Sequence, residues 1–238
     1  MIDENKNDFT NDTLNFHLKT DKPYSYKKTA LSYLKGKWIY SAIVFFIIKI
    51  LSLSLLTDIL NSFVFKYIII LDIPLRIQII SLIISSISLL FIAFPFDVGI
   101  LNYCINIKNN KSDFKDIFYG FKIYSKTLIL GIIIGLLSAI GLLLLVVPGM
   151  IIIYGFSMTP FILLKDTEIS SIDALKLSWD MTRGRKMDIF LFELSFIGWR
   201  ILSSIITLSL GDMFLNPYFY TAKSLYFENI YNEYYETK

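Results

Sequence analysis

The sequence has almost nothing with which to do chemistry. Its 238 residues hold one cysteine, Cys104, and one histidine, His17. A lone cysteine excludes an intramolecular disulfide and a cysteine metal cage. The histidine sits in a polar stretch with no acid or nucleophile beside it, which removes histidine-based catalysis and histidine-cluster metal sites. No phosphate-binding glycine loop and no catalytic set is present, so the expectation is a protein that is not an enzyme and needs no metal or cofactor. Charge is scarce as well, at 18% of residues. The net charge of +3 is too small, and the bases too scattered among apolar blocks, to form the aromatic-interleaved basic stripe that binds nucleic acid.

Apolar residues are what the chain has in excess: 55% are hydrophobic, with a mean hydropathy of +0.58. Too few polar residues remain to solvate a soluble surface, and the charges fall between apolar blocks, as expected when the blocks lie in lipid. A helix needs roughly 20 apolar residues at ~1.5 Å each to cross ~30 Å of hydrocarbon. Spans are expected near residues 38–57, 77–107, 127–147, 149–164, 187–210 and 213–230, the second bending at Pro95 and the fourth holding Pro160. Lysine and arginine number seven in residues 1–37, five in 107–126 and five in 165–186. The alternate connections hold only Lys66 and Arg76, then none. Because basic segments stay cytoplasmic, this alternation gives six spans of the cell membrane with both termini in the cytoplasm. The fold class is therefore all-α, a polytopic membrane helix bundle of three hairpins. Residues 1–25 form a polar cytoplasmic tail without a cleavable signal, and 26–238 form a single membrane domain.

Before each odd-numbered span lies an amphipathic stretch ending near a glycine flanked by bases. The three are TALSYLKGKW (Leu31, Leu34 and Trp38 on one face; Gly36), DFKDIFYGFK (Phe114, Ile117, Phe118, Phe121; Gly120) and IDALKLSWDMTRGRK (Ile172, Leu175, Trp179; Gly184). Such helices lie in the headgroup layer, bases toward phosphate and aromatics toward acyl chains. Ser170 and Asp173 are positioned to cap the third.

Four charges fall inside expected spans: Lys49, Asp97, Glu193 and Arg200. An ionised side chain at mid-bilayer costs about 2.5–3.5 kcal/mol on insertion scales, so each needs a partner, a wet cavity or a route to the interface. Glu193 and Arg200 are seven residues apart, two turns on one face, which should point inward. Asp97 is the expected partner of Arg200. These charges mark either a polar path through the bundle or a buried salt bridge that fixes helix register. In the third span Gly131, Gly135 and Ala139 make a small-residue stripe, suited to close packing within the chain or to a homodimer.

From Val147 onward, VPGMIIIYGFSMTPFIL, SWDMTRGRK leading into FLFELSFIGW, and LGDMFLNPYFYTAKSLYFENIY resemble the bacterial membrane-protein family called domain of unknown function 975. The family-like positions are Pro148, Gly149, Ser178, Gly184, Gly198, Trp199, Pro217 and Tyr218, and TALSYLKGKW extends the resemblance back to about Ala30. Arg200 departs from it, since an apolar residue is expected after Gly-Trp. The resemblance implies no activity. The expected partners are therefore the lipid bilayer and a membrane protein or second copy, with no nucleic acid and no known small-molecule ligand. The leading reading is an accessory protein of the cell envelope; the alternative is a small transporter or channel built on the buried charges. An intramembrane lipid enzyme would need a gathered set that only Glu193 with Asp188 approaches.

Overall fold

The computed structural model describes residues 24–52, 76–77, 79–80, 83–84, 89–207 and 210–236, and among these no strand occurs. His17, Lys66, the end of the first expected span and parts of the second fall outside the described residues. The helices are α1 (Tyr24–Leu34), α2 (Trp38–Leu51), α3 (Phe94–Lys108), α4 (Tyr119–Lys122), α5 (Tyr124–Leu144), α6 (Val146–Gly155), α7 (Thr159–Lys165), α8 (Ser171–Met181), α9 (Lys186–Thr207) and α10 (Asp212–Glu236). A wide π turn, Leu89–Ala93, leads into α3, and a 3-10 turn, Phe114–Phe118, leads into α4.

Glycine and proline divide the chain. Gly36 at φ 80° separates α1 from α2, and Gly184 at φ 76° separates α8 from α9. Both adopt the left-handed conformation that a side chain resists, so each stops one helix and lets the next leave at a new angle. The first and third amphipathic stretches thus share one device: an 11-residue helix, a left-handed glycine and a long helix. The second stretch differs. Gly120 is helical, and a Cβ on it would lie 2.0 Å from the carbonyl oxygen of Pro95. A Cβ on Gly99 would lie 1.8 Å from that of Ile117. Two glycines therefore let α3 and the Phe114–Lys122 segment touch backbone to backbone.

The expected fourth span is not one helix. It breaks between α6 and α7 because Pro160 has no N–H to give the carbonyl four residues back, and Thr159 N–H turns to the Phe156 carbonyl instead. The Gly155 carbonyl then accepts from Ser178 Oγ at 2.9 Å and Thr182 Oγ1 at 3.1 Å. The Trp179 ring covers Gly155 so closely that a Cβ there would meet it at 2.4 Å. The Ser178 hydroxyl of α8 and that of Thr182 just past its end thus supply what the proline took away, and they dock α8 beneath the break.

At the centre is α10, which packs on α1, α2, α3, α8 and α9. Its Phe219, Ala222, Leu225, Phe227 and Ile230 are buried among Tyr26 and Ala30 of α1, Phe192 and Phe196 of α9, and Phe161 of α7. Cys104 is fully buried beside Tyr103 and Ile107, as a small hydrophobe. The buried stripe of α1 is Tyr26, Ala30 and Leu34, at spacing four, whereas the expected face residue Leu31 is 43% exposed. Ala30 offers no bulk, so α10 comes close on its side rather than on that of Leu31. In α8 the buried residues are Ser171, Ala174, Leu175, Ser178 and Met181, and Ile172 is 57% exposed.

By contrast, α5 and α6 form a hairpin that packs on α3, α8 and α9 at its near end and has little around its far end. Gly141 and Gly149 face each other across it, each closed to a Cβ by the other strand of the hairpin. Leu136, Leu142, Leu143, Leu145, Val146 and Val147 are exposed, Leu143 to 88%. Tyr124–Leu143 and Val146–Lys165 are, among the described residues, the two stretches long and apolar enough to cross a membrane, and Trp38–Leu51 is a shorter apolar helix. The small-residue stripe does not serve the packing expected of it within the chain. Gly131 is buried, but Gly135 has open space around it and Ala139 is exposed; the close approach occurs farther along the helix at Gly141.

Candidate functional site

The four charges that fall within expected spans do not gather at one place. Lys49 from α2 and Asp97 from the first turn of α3 line one cavity of ≈ 250 Å³, together with Asp212, Asn216 and Tyr220 of α10 and the apolar walls Phe45 and Phe96. Tyr220 donates its hydroxyl to Asp97 Oδ1 at 3.1 Å. Asp212 Oδ1 accepts from Ser203 Oγ of α9 at 2.8 Å. Asp212, Asn216 and Tyr220 recur at four-residue spacing, so one face of α10 supplies three polar groups to the cavity. That spacing is the signal in the sequence that would have found them. Pro217, inside the same helix, denies the Met213 carbonyl its intrahelical donor at the cavity's edge.

Glu193 and Arg200 lie elsewhere. Lys223 of α10 gives Glu193 Oε1 an ion pair at 2.6 Å, and the lysine's Nζ lies 5.4 Å from the centre of the Phe219 ring and 5.3 Å from that of Phe227. Arg200 places its guanidinium carbon 4.3 Å above the Phe219 ring. The expected Asp97–Arg200 pair is therefore replaced by two others, Asp97 with Tyr220 and Arg200 with Phe219. Arg200 is exposed rather than turned inward. The ring quadrupole holds the guanidinium at the rim of the α9–α10 contact without requiring a carboxylate.

Toward its C-terminus α10 is tied to its neighbours by ion pairs. Glu228 receives Lys108 at 2.8 Å and Lys165 at 3.2 Å, the last residues of α3 and α7. Cations at helix C-termini also favour the negative end of the helix dipole. Glu233 takes Arg185 and Asn229. Among the described residues, no group of three or more His, Cys, Asp or Glu is placed to hold a metal ion.

The family-like residues occupy a second place. Trp199, 63% exposed, lines an apolar groove of ≈ 400 Å³ with Trp38 of α2, Leu202 and Ser203 of α9, and Phe214, Leu215 and Tyr218 of α10. The Tyr218 ring stands 6.5 Å from Trp38 and 5.2 Å from Phe196. Just below, Lys27 of α1 donates to the Ser195 carbonyl at 3.1 Å and rests 4.2 Å from the centre of the Phe196 ring. Burial holds its ammonium below the ordinary lysine range. Gly198 faces open space, so no packing contact accounts for it. Pro148 and Gly149 form the turn side of the α5–α6 hairpin, and Gly184 is the left-handed stop before α9.

Residues 136–233 match the model of a family described as a protein of unknown function, DUF975. The match runs from the middle of α5 almost to the end of α10, that is, over the second half of the chain. No curated protein and no solved structure matches the chain.

Proposed function

We propose that this is a six-span cell-membrane protein with both termini cytoplasmic, which works by holding a partner or lipid rather than by catalysis. The observation that carries the reading is the α5–α6 hairpin: its apolar residues are exposed along the length of a bilayer core, whereas the ion pairs collect on the far half of α10. In water such a hairpin would be a large unpaid apolar surface; in lipid it has no cost. The exposed Gly135 and Ala139 give a partner helix or a second copy of the chain a place for close approach.

Topology is tested with cysteines introduced one at a time at Lys111, Pro148 and Lys176 and an impermeant maleimide. Only the Pro148→Cys protein should react in intact cells, and outside labelling at Lys111→Cys would sink the six-span arrangement. Crosslinking in the native membrane followed by mass spectrometry should give an adduct with a protein or a second copy. Its absence, with only lipid recovered, would leave the protein-partner half without support. The cavity holding Lys49, Asp97 and Asp212 favours a second reading, a small transporter. Solute or ion flux into liposomes that is unchanged by Asp97→Asn would count against it.

A further inference from the structure

We infer that the outer half of α9 receives a transmembrane helix of another protein, and that this helix carries a carboxylate level with Arg200. The inference rests on the membrane-spanning reading above and deepens it by naming the surface and the chemistry of the partner. Arg200 lies seven residues before the end of α9 at Thr207, and Phe219 lies seven residues past the start of α10 at Asp212. At ~1.5 Å per residue both stand about 10 Å inside the outer ends of their helices. The guanidinium carbon rests 4.3 Å from the centre of the Phe219 ring, so the side chain is held at that depth rather than stretched toward the headgroups.

Charge complementarity selects the partner. The bases inside the expected spans are Lys49, Arg200 and Lys223. Lys223 has Glu193 at 2.6 Å, and Lys49 shares a cavity with Asp97 and Asp212. Arg200 is exposed, and among the described residues no carboxylate, carbonyl or hydroxyl accepts from its five N–H donors. The Phe219 ring fixes where the guanidinium sits without filling those donors, and lipid tails cannot fill them either. A carboxylate answers both the charge and the paired N–H geometry. Next to Arg200, Leu194, Ile197, Gly198 and Ile201 form one exposed apolar face at three- and four-residue spacing. A Cβ on Gly198 would meet nothing, so a helix can come close there. A second copy of the chain, related by a two-fold axis along the membrane normal, would bring Arg200 toward its own counterpart, like charge on like. The occupant is therefore a different, acidic helix.

Energy transfer in phosphatidylcholine vesicles tests this. The full chain carries a donor dye on Lys176→Cys, Cys104 being buried, and is titrated with acceptor-labelled leucine–alanine helices that hold one central Glu or Gln. The helices are kept dilute enough to be monomeric on their own. The protein with Arg200 intact should bind the Glu helix about tenfold more tightly than the Gln helix, the worth of one charge-assisted hydrogen bond. Arg200→Leu should erase the difference, and Gly198→Leu should weaken both helices by blocking close approach. Gly135→Ala, on the hairpin, should leave the difference intact. Each variant's thermal transition in detergent establishes that it is folded. Equal binding of the two helices with Arg200 intact, a difference that survives Arg200→Leu, no effect of Gly198→Leu, or a difference lost in Gly135→Ala would each overturn the surface. Energy transfer between donor- and acceptor-labelled copies of the chain that Arg200→Leu abolishes would overturn it in favour of a second copy. Release of the wild-type protein from membranes by alkaline carbonate would instead overturn the membrane reading itself, so the two failures are told apart.

Discussion

The α5–α6 hairpin and α10 are opposites in composition and in surroundings. The hairpin is apolar throughout and exposed at its far end, whereas α10 carries Lys223, Glu228, Glu233 and six tyrosines and is wrapped by five other helices. A protein folded in water reverses this order, burying what is apolar and exposing what is charged. The comparison teaches that the two regions are suited to different surroundings, which is what the proposed membrane reading supplies. It also shows where the ties lie: α10 is held by ion pairs and ring contacts, the hairpin by the close approach of Gly141 and Gly149.

The largest effect expected is at the tightest contact in the packed body. Gly99→Ala and Gly120→Val would each push a Cβ into a carbonyl oxygen that belongs to another backbone segment, with no side chain able to move aside. A loss of about 3 kcal/mol, read as a fall in the thermal transition in detergent, is the expected cost of such overpacking. A fall of only a degree or two would mean that α3 and the Phe114–Lys122 segment are not in backbone contact. Next is Glu228→Gln, which leaves the half-buried Lys108 and Lys165 without their carboxylate. The expected loss is about 1–2 kcal/mol, well below that of a fully buried pair because solvent still reaches these groups. High salt should narrow the difference between variant and wild type.

The hairpin offers the sharpest internal control, because two glycines at its heart face opposite conditions. Gly149→Ala meets Leu142 and should cost about 1–2 kcal/mol. Gly135→Ala meets nothing and should stabilise the isolated protein by about 0.5–1 kcal/mol through the helix preference of alanine over glycine. If Gly135→Ala instead weakens a crosslinked adduct while raising the thermal transition, the open stripe is a partner surface.

Much of this organisation can be read in the sequence because it rests on local chemistry. Gly36 and Gly184 stop helices where bases and apolar runs meet, and Pro160 sits in the first turn of the helix that follows the break. Ser170 was legible as a cap, and its Oγ does accept the Asp173 N–H. A capping box at Asp113 and Asp116, on the 3-10 turn, has the same signature and went unread. What the sequence does not carry is which side of a helix meets which neighbour. Glu193 and Arg200 share a face by spacing, yet their partners Lys223 and Phe219 come from α10, whose approach is decided by Ala30 and Ala222 rather than by any charge. Helical period says which residues travel together; it leaves open whether their face points to protein or away. Gly99 and Gly120 were harder still, because only a tertiary contact distinguishes a glycine that is needed from one that is tolerated.

The smallest expected effect separates the two regions by acid. At the start of α8, Ser170 donates its hydroxyl to Asp173 at 2.7 Å and Lys176 lies 3.5 Å from the same carboxylate. The hydroxyl first, and the lysine second, hold the Asp173 carboxyl below its usual range. A depressed folded value means that the stabilisation is complete above the unfolded value of about 3.9 and is lost as pH falls through the folded value beneath it. Hydrogen exchange at the first-turn amides of α8 should therefore quicken, relative to its intrinsic rate, below about pH 4, and Ser170→Ala should abolish most of that dependence. The α5–α6 hairpin has no carboxylate between Tyr124 and Gly155, so its protection should be flat over the same interval. If the hairpin loosens together with α8, the hydroxyls of Ser178 and Thr182 on Gly155 couple the two more tightly than their surroundings suggest, and the division between them lies farther along α6 than its broken end.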